Sequence, residues 1–355
     1  MPALVDRVDD FQQRHPVVAV PLAVTYKFFD DQGNYLAAII TYYAFIAIFP
    51  LLLIASSVLG LVLRGNPELR EELLTSALRQ FPIVGTQLGA PEGLQGSTSA
   101  VVIGTLTAIY GVQGLGLAAQ NAANVTWAVP RNSRLNPVVS RLRSFVAMVL
   151  AGLTVLVIAT LSSAASHLSI FGEAHTGLQG LLVVTTVGLN ALVVSYLMKL
   201  STSQDERFRE VLPGGVTVAV LWQLLQWVGG VYVSRVIARA DDLNAVFALV
   251  LGLFALIYIA SVMAVIGLEV NVVLTRQLYP RALLTPFTDS VDLTEADRRA
   301  YADYAKAQRH KGFQRVRVSF SPREKDSVPQ DARPSPEGPR APGDGQRDED
   351  QDVPD

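Results

Sequence analysis

Between Leu36 and Leu63 the chain runs for 28 residues, LAAIITYYAFIAIFPLLLIASSVLGLVL, without an Asp, Glu, Lys, Arg or His. At 1.5 Å per residue a helix of that length reaches roughly 42 Å, enough to cross a tilted hydrocarbon core of about 30 Å. A helix in water needs a polar face, and this segment supplies none. It is therefore read as a membrane span, with lipid as the solvent for most of the chain. Pro50 has no backbone N–H to offer Ile46, which predicts a helix kink or break at mid-span. Tyr42 and Tyr43 lie one to two turns earlier, with hydroxyls that need partners at that depth.

Similar stretches recur along the chain. Spans are expected at about 36–63, 98–118, 144–167, 178–200, 211–233 and 244–274, giving a six-helix transmembrane domain over 36–284 and an all-α, polytopic fold class. The second span is rich in small residues (Gly104, Gly111, Gly114, Gly116, Ala118), which allow close helix approach. Residues 1–35 form an N-terminal and interfacial segment: His15 to Phe29 is apolar but too short to span, and carries Pro16, Pro21 and Lys27. Asn66 to Leu88 reads as an amphipathic surface helix, with Asn66 as N-cap and Pro67 at the first helical position. Pro130 to Arg143 reads as a basic loop with four arginines and no acid. Residues 285–318 are expected to hold a short juxtamembrane helix, with Thr294 as N-cap and Asp297 three residues on. Residues 319–355 have almost nothing to bury and read as a disordered tail, whose acidic end is either a solvated tail or a contact for a basic partner.

Six spans place both termini on one side. Flanks and loops on that side carry 12 Lys and Arg residues against five on the other, which predicts that both termini are cytoplasmic. The first residues, MPALVDRVDDFQQRH, lack a basic-then-apolar signal pattern, so no cleavage is expected. Charged residues make up 17% of the chain, below the ~25% usual for soluble domains, and the net charge of −2 argues against a nucleic-acid partner. Without cysteine there is neither disulfide nor thiolate catalysis. The partners left are membrane lipids, a small solute or lipid substrate, and a further copy of the chain.

A few polar residues stand at membrane depth. Gln113, Gln120 and Asn124 share one helix face, and Asn121 lies beside it. Gln223 sits in the fifth span, and Glu269 is the one acid inside the sixth apolar stretch, followed by Asn271. Such amides either tie helices together or line a wet path. An intramembrane carboxylate is a functional candidate for proton coupling or ion pairing. The competing reading of Glu269 is an anchor held by Arg141, Arg143 or a helix N-terminus. His15, His167, His175 and His310 are too scattered to hold a metal, and Glu173 with His175 does not make a zinc site. No HExxH, GxSxG or Walker A pattern occurs, so neither an enzyme nor a cofactor is expected.

An ordered set of short patterns resembles the YihY/BrkB family of bacterial inner-membrane proteins (virulence factor BrkB, formerly mislabelled ribonuclease BN). They are Leu36-Ala37-Ala38, Tyr43-Ala44-Phe45 and Phe49-Pro50-Leu51 in the first span, and Gln120-Asn121 to Trp127 before the basic loop. Leu212-Pro213-Gly214 with Trp222 and Tyr232, and Gly267-Leu268-Glu269-Val270-Asn271, complete it. The resemblance covers about residues 20 to 285. It departs at Asp241-Asp242-Leu243-Asn244, where the family often has Tyr-Gly, and at Gly252-Leu253-Phe254, where it often has Trp. It implies a multi-pass protein of the cytoplasmic (inner) membrane, linked to envelope integrity and to export of lipids or small solutes. The residues offer no nuclease chemistry, since no carboxylate or histidine cluster is present to hold catalytic metals. The function expected is a transporter, exporter or lipid-handling protein that is not driven by ATP; the alternative is a non-transporting envelope scaffold.

Overall fold

The computed structural model describes residues 2–62, 98–168, 175–235, 242–285 and 291–321. Expectations placed on the helix at 66–88, on Glu173, and on the tail beyond residue 321 lie outside the described residues. Every regular element among the described residues is helical. Two short helices, α1 (Pro2–Arg14) and α2 (Pro16–Asp30), precede six long ones: α3 (Gly33–Val62), α4 (Thr98–Thr126), α5 (Pro137–Leu168), α6 (His175–Ser201), α7 (Phe208–Arg235) and α8 (Asp242–Thr275). A last helix, α9 (Glu295–Ala307), follows α8.

Local sequence accounts for the helix ends. Pro16 opens α2 at a position whose N–H has no intrahelical partner. Pro21 lies inside α2 on its exposed side, and Thr25 Oγ1 donates to its carbonyl. Asn136 caps α5, its side chain accepting from the Val139 N–H at 2.8 Å. This corrects the basic loop expected over 130–143: from Pro137 onward it is the first turns of α5, because Asn-Pro is a cap followed by a first helical position. α3 continues through position 50 as one element. Thr294 caps α9 and closes a reciprocal box with Asp297.

The apolar pattern is turned outward, as expected where the surroundings are lipid. Phe145, Val149 and Leu153 on α5, Leu224 and Trp227 on α7 and Leu251 and Phe254 on α8 are exposed. Four stretches among the described residues are long and apolar enough to cross a membrane: Pro137–Val155, Val184–Ser201, Phe208–Val228 and Val250–Thr275. α3 adds a shorter apolar stretch, Gly33–Ile48. The fold is that of an all-α, polytopic membrane protein.

Small residues bring the helices together, since lipid provides little hydrophobic force between them. A Cβ at Gly111 of α4 would stand 2.9 Å from the backbone of Ala47 on α3. One at Gly214 of α7 would overlap the Gly267 carbonyl of α8. Among the described residues, buried side chains gather around Ala37, Ala122, Trp127, Val211, Val265 and Val272. α2 packs there against α8 and buries Ala19, Ala23, Val24, Tyr26, Lys27 and Phe28.

Candidate functional site

Three helices end at this buried cluster. α4 and α8 both stop in a left-handed turn, at Ala128 (φ 49°) and Gln277 (φ 51°). In each, a later N–H reaches back across the turn, Val129 to the Asn124 carbonyl at 2.8 Å and Leu278 to the Val273 carbonyl at 3.0 Å. α2 stops at Asp30, and Asp31 leads into the turn towards α3. The last carbonyls of α4 are met by two cations: Lys27 Nζ donates to Thr126 O at 3.1 Å and Arg276 Nη2 to Trp127 O at 2.6 Å. Cations at a helix C-terminus are favoured by the peptide dipoles.

Lys27 is the hub. Its ammonium is buried, bonds Asp31 one turn on, and lies 3.7 Å from Glu269 Oε2. Glu269 is fully buried; the Asp31 carboxyl faces it, and the donor nearest its oxygens is the Lys27 ammonium. One ammonium therefore faces two carboxylates. Burial works to lower the pKa of Lys27, but Glu269 and Asp31 outweigh it and hold the ammonium above its ordinary range. Burial pushes the Asp31 carboxyl up, against the opposing pull of Lys27.

A second ionic group adjoins the first. Arg281, fully buried, bonds Asp30 at 2.6 Å and Asp297 of α9 at 2.7 Å, so it ties the end of α2 to α9. The Tyr26 and Tyr301 rings lie 5.7 and 5.3 Å from its guanidinium. Arg276 pairs with Asp303 of α9 at 2.8 Å. Between these groups lies a cavity of about 240 Å³, lined by Lys27, Asp30, Asp31, Arg276 and Leu278 on the bundle side and by Ala300, Tyr301, Asp303 and Tyr304 of α9.

Residues 24–289, which hold Lys27, Asp30, Asp31, Glu269, Arg276 and Arg281 but not α9, match the profile of the family described as virulence factor BrkB. The chain belongs to the BrkB family. Over 158 residues it is 28% identical to the inner membrane protein YhjD of Escherichia coli (strain K12), a match covering 42% of this chain and 46% of that relative. The chain thus aligns with about half the length of the curated relative it matches. No solved structure matches it.

Of the polar residues singled out in this BrkB-family chain, Glu269 reaches the ionic cluster, and its partner is Lys27 rather than Arg141 or Arg143. Those arginines sit at the start of α5, where Arg143 bonds the Thr202 carbonyl. The amides serve contacts between elements. Gln120 donates to Ser140 O and Ser144 Oγ of α5, both at 2.8 Å, and accepts from Ser140 Oγ. Asn121 accepts from Arg134 at 3.1 Å and Asn124 from the Ser203 N–H at 3.0 Å. Asn271 accepts from the Gly214 N–H at 2.6 Å and lies 3.4 Å from Met198 Sδ. Gln113 has a buried carbonyl oxygen without a partner, and Gln223 is half-buried on α7. Tyr43 packs against Gly114 and Tyr110, whereas Tyr42 is exposed.

Sequence reasoning did not place Lys27, Asp30, Asp31, Arg276, Arg281 or Asp303 in the site. One local signal was present: Lys27 and Asp31 stand four apart at the end of a helical pattern, a spacing that puts them on one face. Nothing local links Arg281 to Asp30, which are 251 residues apart.

Proposed function

We propose that this BrkB-family membrane protein moves a small solute or lipid component across the cytoplasmic membrane, passively or driven by a gradient, with Lys27, Asp31 and Glu269 as its coupling centre. The observation that carries the reading is Glu269, a fully buried carboxyl on a strongly apolar helix, facing the Asp31 carboxyl and with one cation 3.7 Å away. Buried charges without full compensation cost several kcal/mol, so a purely structural role is poorly served by this arrangement. Two carboxylates sharing one ammonium can accept a proton or a further cation without rebuilding the helices around them. The bias of Lys and Arg supports cytoplasmic termini. In this reading the protein is not an enzyme.

The test is release of an entrapped panel of small solutes from proteoliposomes under an imposed pH gradient, comparing the parent with Glu269→Gln. Loss of release in the variant is expected; equal release would remove the carboxylate from the mechanism. The amides favour a second reading, a non-transporting scaffold of the envelope, because Gln120, Asn124 and Asn271 all bond neighbouring elements. That reading expects Glu269→Gln to keep envelope integrity intact and truncation after residue 319 to abolish it.

A further inference from the structure

Carboxylates outnumber cations on the wall of the cavity under α9, three to two. α2, α4 and α8 all end there, and each helix C-terminus carries the equivalent of about half a negative charge. Asp30, Asp31 and Asp303 line the wall, and Glu269 stands behind Lys27. The two cations on the wall are already engaged. Lys27 serves Asp31, Glu269 and the Thr126 carbonyl, and Arg276 serves Asp303 and the Trp127 carbonyl. Asp30 and Asp303 each bond one arginine through Oδ2, and a carboxylate has room for several donors.

The shape limits the occupant as well. About 240 Å³ lies below the roughly 300–1,000 Å³ of sites for drug-sized ligands, so the occupant is small. Tyr301 and Tyr304 present aromatic rings on the α9 side, surfaces that suit a cation with a short carbon chain better than a bare hydrated ion. An anion would meet three carboxylates, with the two wall cations, Lys27 and Arg276, already engaged.

We propose that this cavity binds a small organic cation bearing a primary ammonium group, bonded by Asp30 and Asp303 with its carbon chain against Tyr301 and Tyr304. This names the substrate class for the pocket beside the coupling centre, and so rests on the transport reading. Three ammonium donors suit two carboxylates and one helix-end carbonyl.

The probe is n-butylammonium, titrated calorimetrically into the purified full-length protein in detergent, with butyrate and butanol as comparators. Saturable binding of n-butylammonium, none of butyrate and weaker binding of butanol are expected. Asp303→Asn is expected to weaken binding at least about tenfold and Tyr304→Leu about threefold. Thermal unfolding checks that each variant is folded; Tyr304 is 45% exposed, so its variant carries the test should Asp303→Asn misfold. Equal binding of butyrate, displacement by equimolar sodium, absence of saturation, or parent-like binding in the folded variants would overturn the proposal. Butylammonium binding with no solute release from proteoliposomes keeps the ligand and removes the transport reading. Solute release without butylammonium binding does the reverse.

Discussion

Arg281 and Asp297 are both fully buried, and their Nε–Oδ1 distance is 2.7 Å. Asp297 also accepts from the Ala282 N–H and from Thr294 at the start of α9. One carboxylate thus caps its own helix and fixes that helix to the segment that follows α8. A buried pair of this kind contributes little relative to a well-packed apolar replacement, but loss of one partner leaves a bare charge.

We therefore expect Asp297→Asn to cost about 3–5 kcal/mol of stability and to release α9, read as new proteolytic cleavage between residues 291 and 307. The double variant Arg281→Met with Asp297→Leu should lose much less than the sum of the single losses. Additive losses in that cycle would show that the pair does not hold α9 in place.

At the neighbouring cluster the same logic has a sharper sign. Lys27→Met removes the ammonium shared by Asp31 and Glu269 and is expected to destabilise the protein by about 3–5 kcal/mol in detergent unfolding. Adding Glu269→Gln, which removes one of the two stranded charges, should recover part of that loss. If the second change makes matters worse, Glu269 is held by something other than Lys27.

How much of this could be read from the letters alone follows from the range of the forces involved. Long apolar runs, the Thr294–Asp297 box and the glycines of α4 are local signals: the runs lie in long helices, the box closes, and Gly111, Gly114 and Gly116 lie against neighbouring residues. Glu269 stood out because a carboxylate in lipid surroundings is rare. Its partner did not, because Lys27 lies on a helix too short to span and meets Glu269 only when α2 packs on α8. Arg281 read as one more flanking positive charge, yet it is fully buried. Charges near helix ends look alike in sequence, whether they face solvent or one another. The density of arginines over 130–143 reads as a loop, whereas the structure starts α5 at Pro137 with Asn136 as its cap.

Glycine positions give a test of the close packing. Gly214→Ala places a methyl group on the Gly267 carbonyl and against Asn271, and is expected to cost about 1–3 kcal/mol while weakening the Asn271 bond to α7. Gly152→Ala on α5 meets no atom within 4 Å, and should be neutral or stabilising by about 0.5–1 kcal/mol. Equal effects at the two sites would mean that backbone freedom, not contact between α7 and α8, sets the need for glycine at 214.

The loop between α6 and α7 supplies a pH-dependent term. Partial burial, followed by the neighbouring Glu210, pushes the Glu206 carboxyl up to about 7, with Arg276 pulling the other way. Because the folded state holds this proton more tightly than an unfolded chain, the stabilisation from Glu206 is complete below the ordinary carboxylate range. It then declines as pH rises towards 7, the range in which the unfolded chain has already released the proton. Glu206→Gln is expected to flatten the fall in Tm between about pH 4.5 and 7, and to raise Tm relative to the parent at pH 8. A parent-like slope in Glu206→Gln would place the source of any pH dependence elsewhere, with Asp31 the next group to exchange.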